Sequence, residues 1–243
     1  MALKSLSRYN MYLEVNVMKV QVWSDFVCPF CYVGKRHLEE AIKQLDKEIE
    51  VEFMSFELDQ NYVDQPDLNI HEMLAQKYNI SVDEARLNNE RVGSMAQTVG
   101  LNYDFDAMKY TNTFKAHKVF QYAKFKGLGN EYSEKLMDAY FSKGVYLNDL
   151  EALIELGVSV GLDAEGIKHA FESDEYGLSV RQDEQWAQMI GARGVPHFVI
   201  DDQVSLSGAQ PIETFKSALQ HVETLNAQKN DAMMCTDGVC TVE

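Results

Sequence analysis

The sequence predicts an α/β fold in which the two ends of the chain build one sheet and a large all-helical block interrupts it. Three observations carry this expectation. Residues 18–56 read as strand, helix, strand. From about 66 to 190 the strand signals stop and capped helices follow one another. Strand signals return at 197–207, and one last amphipathic helix follows them. The halves β-α-β and β-β-α must therefore meet in space to complete a single sheet.

The first strand covers about 18–23. Val20 and Val22 alternate with Gln21, and Trp23 closes the run. A helix over about 28–46 comes next, with Leu38, Ile42 and Leu45 at helical spacing. Pro29 sits in its first turn, where a missing N–H costs nothing and the fixed φ suits the helix. A second strand spans 49–56, with Ile49, Val51, Phe53 and Ser55 on one face. Strand, helix and strand at these lengths imply a parallel pair with a right-handed crossover.

The helical block is punctuated by caps and stops. Ser81 and Glu84 have capping-box spacing, and Gly100 reads as a stop. Thr113 opens a helix holding Phe114, His117, Val119, Phe120 and Tyr122, which ends at Gly127. Another runs over about 130–143 and ends at Gly144. Asn148 to Glu151 read as the cap of the next, which stops near Gly157 or Gly161. Asp163 and Ser173 mark later starts. Short turns between such helices suggest a bundle. After it, 197–201 reads as a strand, Asp201-Asp202 as a turn, and 204–207 as the hairpin partner. The last helix, about 211–227, puts Ile212, Phe215, Leu219 and Val222 on one face. The tail from Asn230 is polar and reads as a loop. The expected division is an N-terminal extension at 1–17, an α/β unit from 18–65 and 191–228, a helical insertion at 66–190, and a tail at 229–243.

Composition narrows the function classes. Hydrophobic residues at 46% and charged residues at 25% suit an ordinary globular chain. A net charge of −16 argues against binding nucleic-acid phosphates or anionic membranes. No apolar run reaches the ~18 residues of a membrane helix, and the first residues lack a signal peptide's apolar core. A cytoplasmic location is the expectation. Met18 stands just before the first strand, so 1–17 reads as an upstream extension with little role in the fold. Four cysteines are too few for a disulfide scaffold in a chain of 243 residues.

Cys28-Pro29-Phe30-Cys31 lies where the first strand gives way to a helix. Cysteines three apart on a helix are neighbours on one face. The free N–H groups and positive end of that helix favour a thiolate at Cys28, and a thiolate is what attacks disulfides. The reading is a dithiol–disulfide redox pair. A zinc site is the competing reading, with Cys235 and Cys240 as its other half. The redox reading is preferred, because the pair follows a strand directly and encloses a proline; no metal is expected.

Several stretches carry a resemblance to a known family. They are residues 24–31 (Ser-Asp-Phe-Val-Cys-Pro-Phe-Cys), 112–117 (Asn-Thr-Phe-Lys-Ala-His), 139–141 (Ala-Tyr-Phe), 194–198 (Gly-Val-Pro-His-Phe) and 207–211 (Ser-Gly-Ala-Gln-Pro). Over about 18–225 the chain resembles DsbA-type proteins, and within them the FrnE-like branch. The resemblance implies a thioredoxin fold with a helical insertion. It implies thiol–disulfide oxidoreductase or isomerase activity with no bound organic cofactor. The implied partners are protein or peptide thiols and disulfides, with glutathione a further candidate. The sequence leaves oligomeric state open.

The same resemblance assigns residues. Cys28 would be the nucleophile, and Cys31 would resolve the mixed disulfide. Pro29 and Phe30 would set the potential. DsbA-type oxidases usually carry His where this chain has Phe30, so a weaker oxidant than their potential of about −120 mV is expected. Pro196 matches a cis proline beside the cysteine pair, which would free the N–H and C=O of Val195 to pair with an extended substrate. Asn112 and His117 become candidates to line the substrate cleft, although a lone His on an apolar helix is more often a hydrogen-bonded core residue. Asp25 reads as a turn residue bonding backbone N–H groups, with a proton relay as its alternative. Thr236-Asp237-Gly238 is turn chemistry that could join Cys235 to Cys240 as a second redox pair; a surface disulfide or a metal-binding tail are the alternatives. Kappa-type glutathione transferases and hydroxychromene-carboxylate isomerases resemble the chain in outline but use Ser at the first active-site position. A redox-sensing holdase chaperone is the non-enzymatic alternative.

Overall fold

A computed structural model describes residues 17–65 and 67–234, with side chains as far as Lys229. The chain begins with β1 (Met18–Ser24), α1 (Pro29–Leu45) and β2 (Ile49–Ser55). Seven helices follow: α2 (Ile70–Tyr78), α3 (Val82–Gln97), α4 (Phe114–Phe125), α5 (Gly129–Lys143), α6 (Leu150–Ser159), α7 (Ala164–Glu172) and α8 (Asp174–Met189). Then come β3 (His197–Ile200), β4 (Val204–Ser207) and α9 (Ile212–Met234).

The strands form one sheet in the order β2-β1-β3-β4. β1 and β2 are parallel, as a strand–helix–strand unit requires, and β3 is antiparallel to both β1 and β4. Register sorts the side chains by face. Val22 lies opposite Phe53 on one side and Phe198 on the other. These three join Leu38 of α1 and Phe215, Leu219 and Val222 of α9 in the main core. Phe198 and Phe215 meet edge to face at 4.8 Å. The opposite face carries Trp23, Met54 and Val199, which form a second cluster with Ala187 of α8.

That second cluster draws on the helical block. The last helix of the block, α8, packs on the sheet rather than with the bundle alone. Trp23 Nε1 donates to the carbonyl of Asp183 at 2.8 Å. Asp183 Oδ2 accepts the N–H of Ser55 at 2.8 Å, satisfying a backbone donor at the end of the edge strand β2.

The caps show where local spacing was and was not enough. Asp163 and Ser173 cap α7 and α8. Ser81 accepts from Glu84 N, but the complete capping box is at Asn69 and Glu72 on α2. The cap of α6 is Asp149 and not Asn148, whose amide instead donates to Asp64 Oδ2 at 2.6 Å. Gly157 lies inside α6, with no room for a Cβ beside Ile167. α9 continues to Met234, so the first part of the expected loop-like tail is helical. Residues 1–16 and the pair Cys235 and Cys240 lie outside the described residues.

Candidate active site

Cys28 is the N-cap of α1, with extended backbone angles (φ −90°, ψ 110°) and Pro29 immediately inside the helix. The preceding turn is closed by the N–H of Cys28 donating to the carbonyl of Asp25 at 3.2 Å. Cys31 follows one turn later. Both side chains are free thiols, and they are only 3% and 1% exposed. Burial, followed by the neighbouring Cys28 side chain, pushes the Cys31 thiol well above its usual range; Ser24 and the Asp25 backbone oppose this. The pair is therefore asymmetric: Cys28 sits at the positive end of a helix, and Cys31 is held as a neutral thiol.

A distant segment completes the site. The Cys28 thiol donates to the carbonyl oxygen of Val195 at 3.7 Å, and the Val195–Pro196 bond is cis. Close approach here depends on Gly34. A Cβ at that position would lie 3.1 Å from Phe198 Cζ and 3.2 Å from Pro196 Cγ. The sequence signal was a glycine within a helix, which is unfavourable by ~1 kcal/mol against Ala and so marks a packing reason.

Two more anchors were not visible in the sequence. Tyr103 stacks on Phe141 at 4.5 Å and donates its OH to the carbonyl of Pro29 at 2.9 Å. Glu134 on α5 accepts from Tyr32 OH at 2.6 Å, from Lys35 Nζ at 2.5 Å, and from Arg36. Burial opposes the charge on Glu134, but Lys35, Tyr32 and Arg36 outweigh it and hold the carboxyl below its usual range. The helix bearing the cysteines is thus tied to the inserted block at both turns, by Tyr103 from the connection between α3 and α4 at the first and by Glu134 of α5 at the second.

Cys28, Phe30, Leu58 and Val195 line a cleft of about 370 Å³ whose far walls come from α2, α3 and α5. Asn112 is not among its lining residues. Its Oδ1 accepts the N–H of Phe114 at 3.0 Å, one residue before the Thr113 N-cap of α4, and its amide donates to the carbonyl of Tyr62. His117 is wholly buried and likewise does not line the cleft. Asp25 departs from its expected turn role. Only its backbone carbonyl closes the turn; its carboxylate accepts the N–H of Leu58 at 2.7 Å and faces His117. Among the described residues no group of three or more His, Cys, Asp or Glu side chains could hold a metal.

A vicinal dithiol at a strand-to-helix junction, facing a cis X-Pro turn across a β2-β1-β3-β4 sheet, defines a thioredoxin-type protein. More specifically, the chain belongs to the DSBA-like thioredoxin domain family, which matches residues 19–220. It is 32% identical over 202 residues to the uncharacterized protein YwbO of Bacillus subtilis (strain 168), covering 82% of this chain and 94% of that one. The crystal structure of a probable DsbA oxidoreductase from Streptomyces coelicolor superposes with a TM-score of 0.79 at 36% identity, over 84% of this chain and 89% of the other. The cytosolic disulfide reductase DsbM from Pseudomonas aeruginosa shares the fold, with a TM-score of 0.58 at 18% identity over 85% and 99% of the two chains. No helix among the described residues is long and apolar enough to cross a membrane.

Proposed function

We propose that the protein is a thiol–disulfide oxidoreductase that acts on protein or peptide disulfides through Cys28 and Cys31. The observation that carries this reading is the contact of Cys28 Sγ with the carbonyl oxygen of Val195, made in the wall of an open cleft. An extended substrate can pair with the backbone of Val195 and so bring its sulfur to Cys28.

The Cys28 thiolate attacks one sulfur of the substrate disulfide. The other substrate sulfur leaves as a thiolate, and a mixed disulfide remains. Cys31 then gives up its proton and attacks Cys28 Sγ. The Cys28–Cys31 disulfide closes, and the second substrate thiolate departs. Two electrons pass from the dithiol to the substrate, and the reverse sequence oxidises a substrate dithiol. Because burial keeps Cys31 protonated, its proton loss is the demanding step in resolution. A cytoplasmic setting belongs to the same reading, since a reducing compartment returns the pair to the dithiol.

Insulin reduction by dithiothreitol tests the reading. The wild-type protein accelerates it, and Cys28→Ser does not. Equal acceleration by the variant would remove Cys28 from the reaction. The serine-type alternatives require glutathione conjugation or isomerisation that survives in Cys28→Ser.

A further inference from the structure

Resolution requires a negative charge on Cys31, and Cys31 is buried in the main core. A buried anion is costly unless hydrogen-bond donors already point at it. The end of β1 supplies two. Strand alternation puts Val20, Val22 and Ser24 on one face, and Val20 and Val22 share the main core with Cys31. The Ser24 hydroxyl and the backbone N–H of Asp25 lie beside the Cys31 sulfur as donors that favour its charged form. Ser24 is itself buried, and with both cysteines reduced its Oγ has no hydrogen-bond partner among the described residues. A buried hydroxyl left without a partner is uncommon and calls for a reason. The backbone around it is fixed: the Ser24 carbonyl accepts the N–H of Phe56, and the Asp25 carbonyl accepts that of Cys28, both at 3.2 Å. The Asp25 carboxylate is engaged elsewhere, by the N–H of Leu58 at 2.7 Å and opposite His117.

We propose that Ser24 is a catalytic residue of the resolving step, its hydroxyl donating a hydrogen bond to the Cys31 thiolate alongside the N–H of Asp25. This deepens, and rests on, the reading of Cys31 as the resolving thiol. The bond that the Ser24 hydroxyl lacks beside the neutral thiol is made when the thiolate forms. No proton crosses to Ser24. Cys31 loses its proton to solvent, and its thiolate attacks Cys28 Sγ in the mixed disulfide. The Cys28–Cys31 bond forms, the bond from Cys28 to the substrate sulfur breaks, and that sulfur leaves with the electron pair and takes a proton from solvent. Attack by Cys28 comes earlier and draws on the N-terminal end of α1, so it does not depend on Ser24.

The test mixes equimolar reduced protein, with Cys235 and Cys240 replaced by Ser, and dithiobis-nitrobenzoate in a stopped-flow spectrometer. One coloured thiolate is released when Cys28 attacks the reagent, and the second when Cys31 displaces the group left on Cys28. Cys31→Ala gives the first phase alone. Loss of a hydrogen bond to a charged sulfur raises the Cys31 thiol by roughly one to two units. About half of that is offset because a less stabilised thiolate is the better nucleophile. Ser24→Ala is therefore expected to keep the first phase and to slow the second about 3- to 10-fold at neutral pH. Ser24→Thr and Ser24→Val have the same shape and differ in the hydroxyl, so they decide the matter if Ser24→Ala does not fold. The second phase stays fast in Ser24→Thr and is slow in Ser24→Val. A second phase as fast in Ser24→Ala as in wild type, or equal in the Thr and Val variants, overturns the role of Ser24 and leaves Cys28 and Cys31 in theirs. Equal slowing of both phases also overturns it, because that marks damage to the whole site. No second phase in wild type removes Cys31 as the resolving thiol, and Ser24 with it.

Discussion

The carboxylate of Asp25 faces the imidazole of His117 at 3.4 Å, and the two side chains are 1% and 0% exposed. Asp25 stands three residues before the first cysteine, and His117 comes from α4 in the inserted block. Asp25 Oδ1 and both ring nitrogens of His117 have no hydrogen-bond partner among the described residues, and Phe26 packs on the imidazole at 4.4 Å. The pair joins the redox loop to the insertion through polar groups that water cannot reach. Removing either side chain leaves the other buried polar group without the one it faces at 3.4 Å, which costs about 1–3 kcal/mol. Asp25→Ala and His117→Leu should each lower the urea midpoint by that measure. The double variant should lose less than the sum of the two. Additive losses would mean that the two residues act independently.

The asymmetry of the cysteines has a pH signature. The Cys31 thiol is raised above its usual value of 9.0, chiefly by burial and then by Cys28. A thiol raised in the folded state contributes stability that is whole below the unfolded value and is lost as pH climbs through the folded one. The reduced protein should therefore lose stability above about pH 9. Cys31→Ala should flatten that decline in denaturation curves taken across the alkaline range. At neutral pH, iodoacetamide should modify Cys28 before Cys31, as peptide mapping would reveal.

Glu134 should govern how firmly α1 is held. Glu134→Gln weakens three donors at once and leaves the mostly buried Lys35 with Glu39 as its remaining acidic partner. A loss of about 1–3 kcal/mol is expected. The carboxyl lies below its usual value of 4.5, so its contribution is present above that pH and is lost as pH falls through the lowered value. Wild type should show this acid limb of the stability curve more strongly than Glu134→Gln. Parallel curves would contradict the role.

Gly34 permits the contact between the redox helix and the cis-proline turn. In Gly34→Val the added atoms meet Phe198 and Pro196, and overpacking of this kind is unfavourable by about 1–3 kcal/mol. Insulin reduction should fall with it, because the helix must move away from Val195. A fully active, fully stable Gly34→Val protein would remove the claim of close approach.

What was legible in the sequence was local. Cys28 to Cys31 announce a strand-to-helix junction because alternation, the proline position and helical spacing all act within a few residues. Asp163 and Ser173 could be read as caps for the same reason. The misreadings came from partners far along the chain. Asp25 looked like a turn residue because neither Leu58 nor His117 is near it in sequence. Asn112 looked like a cleft residue, yet its side chain is spent on the start of α4 and on Tyr62. α8 reads as one more bundle helix until Asp183 is seen bonding β2 and Trp23. Tyr103 and Glu134 carry no motif at all, and only the tertiary arrangement brings them to α1.

The most direct test is the redox equilibrium of Cys28 and Cys31, measured with Cys235 and Cys240 replaced by Ser. The protein would be poised in a series of thiol–disulfide buffers, quenched, alkylated and mapped by mass. The account predicts a single two-electron transition that joins Cys28 to Cys31, with a midpoint more reducing than about −120 mV because Phe30 stands where stronger oxidants carry His. Cysteines that stay reduced across the whole series would contradict it, as would a midpoint at or above about −120 mV.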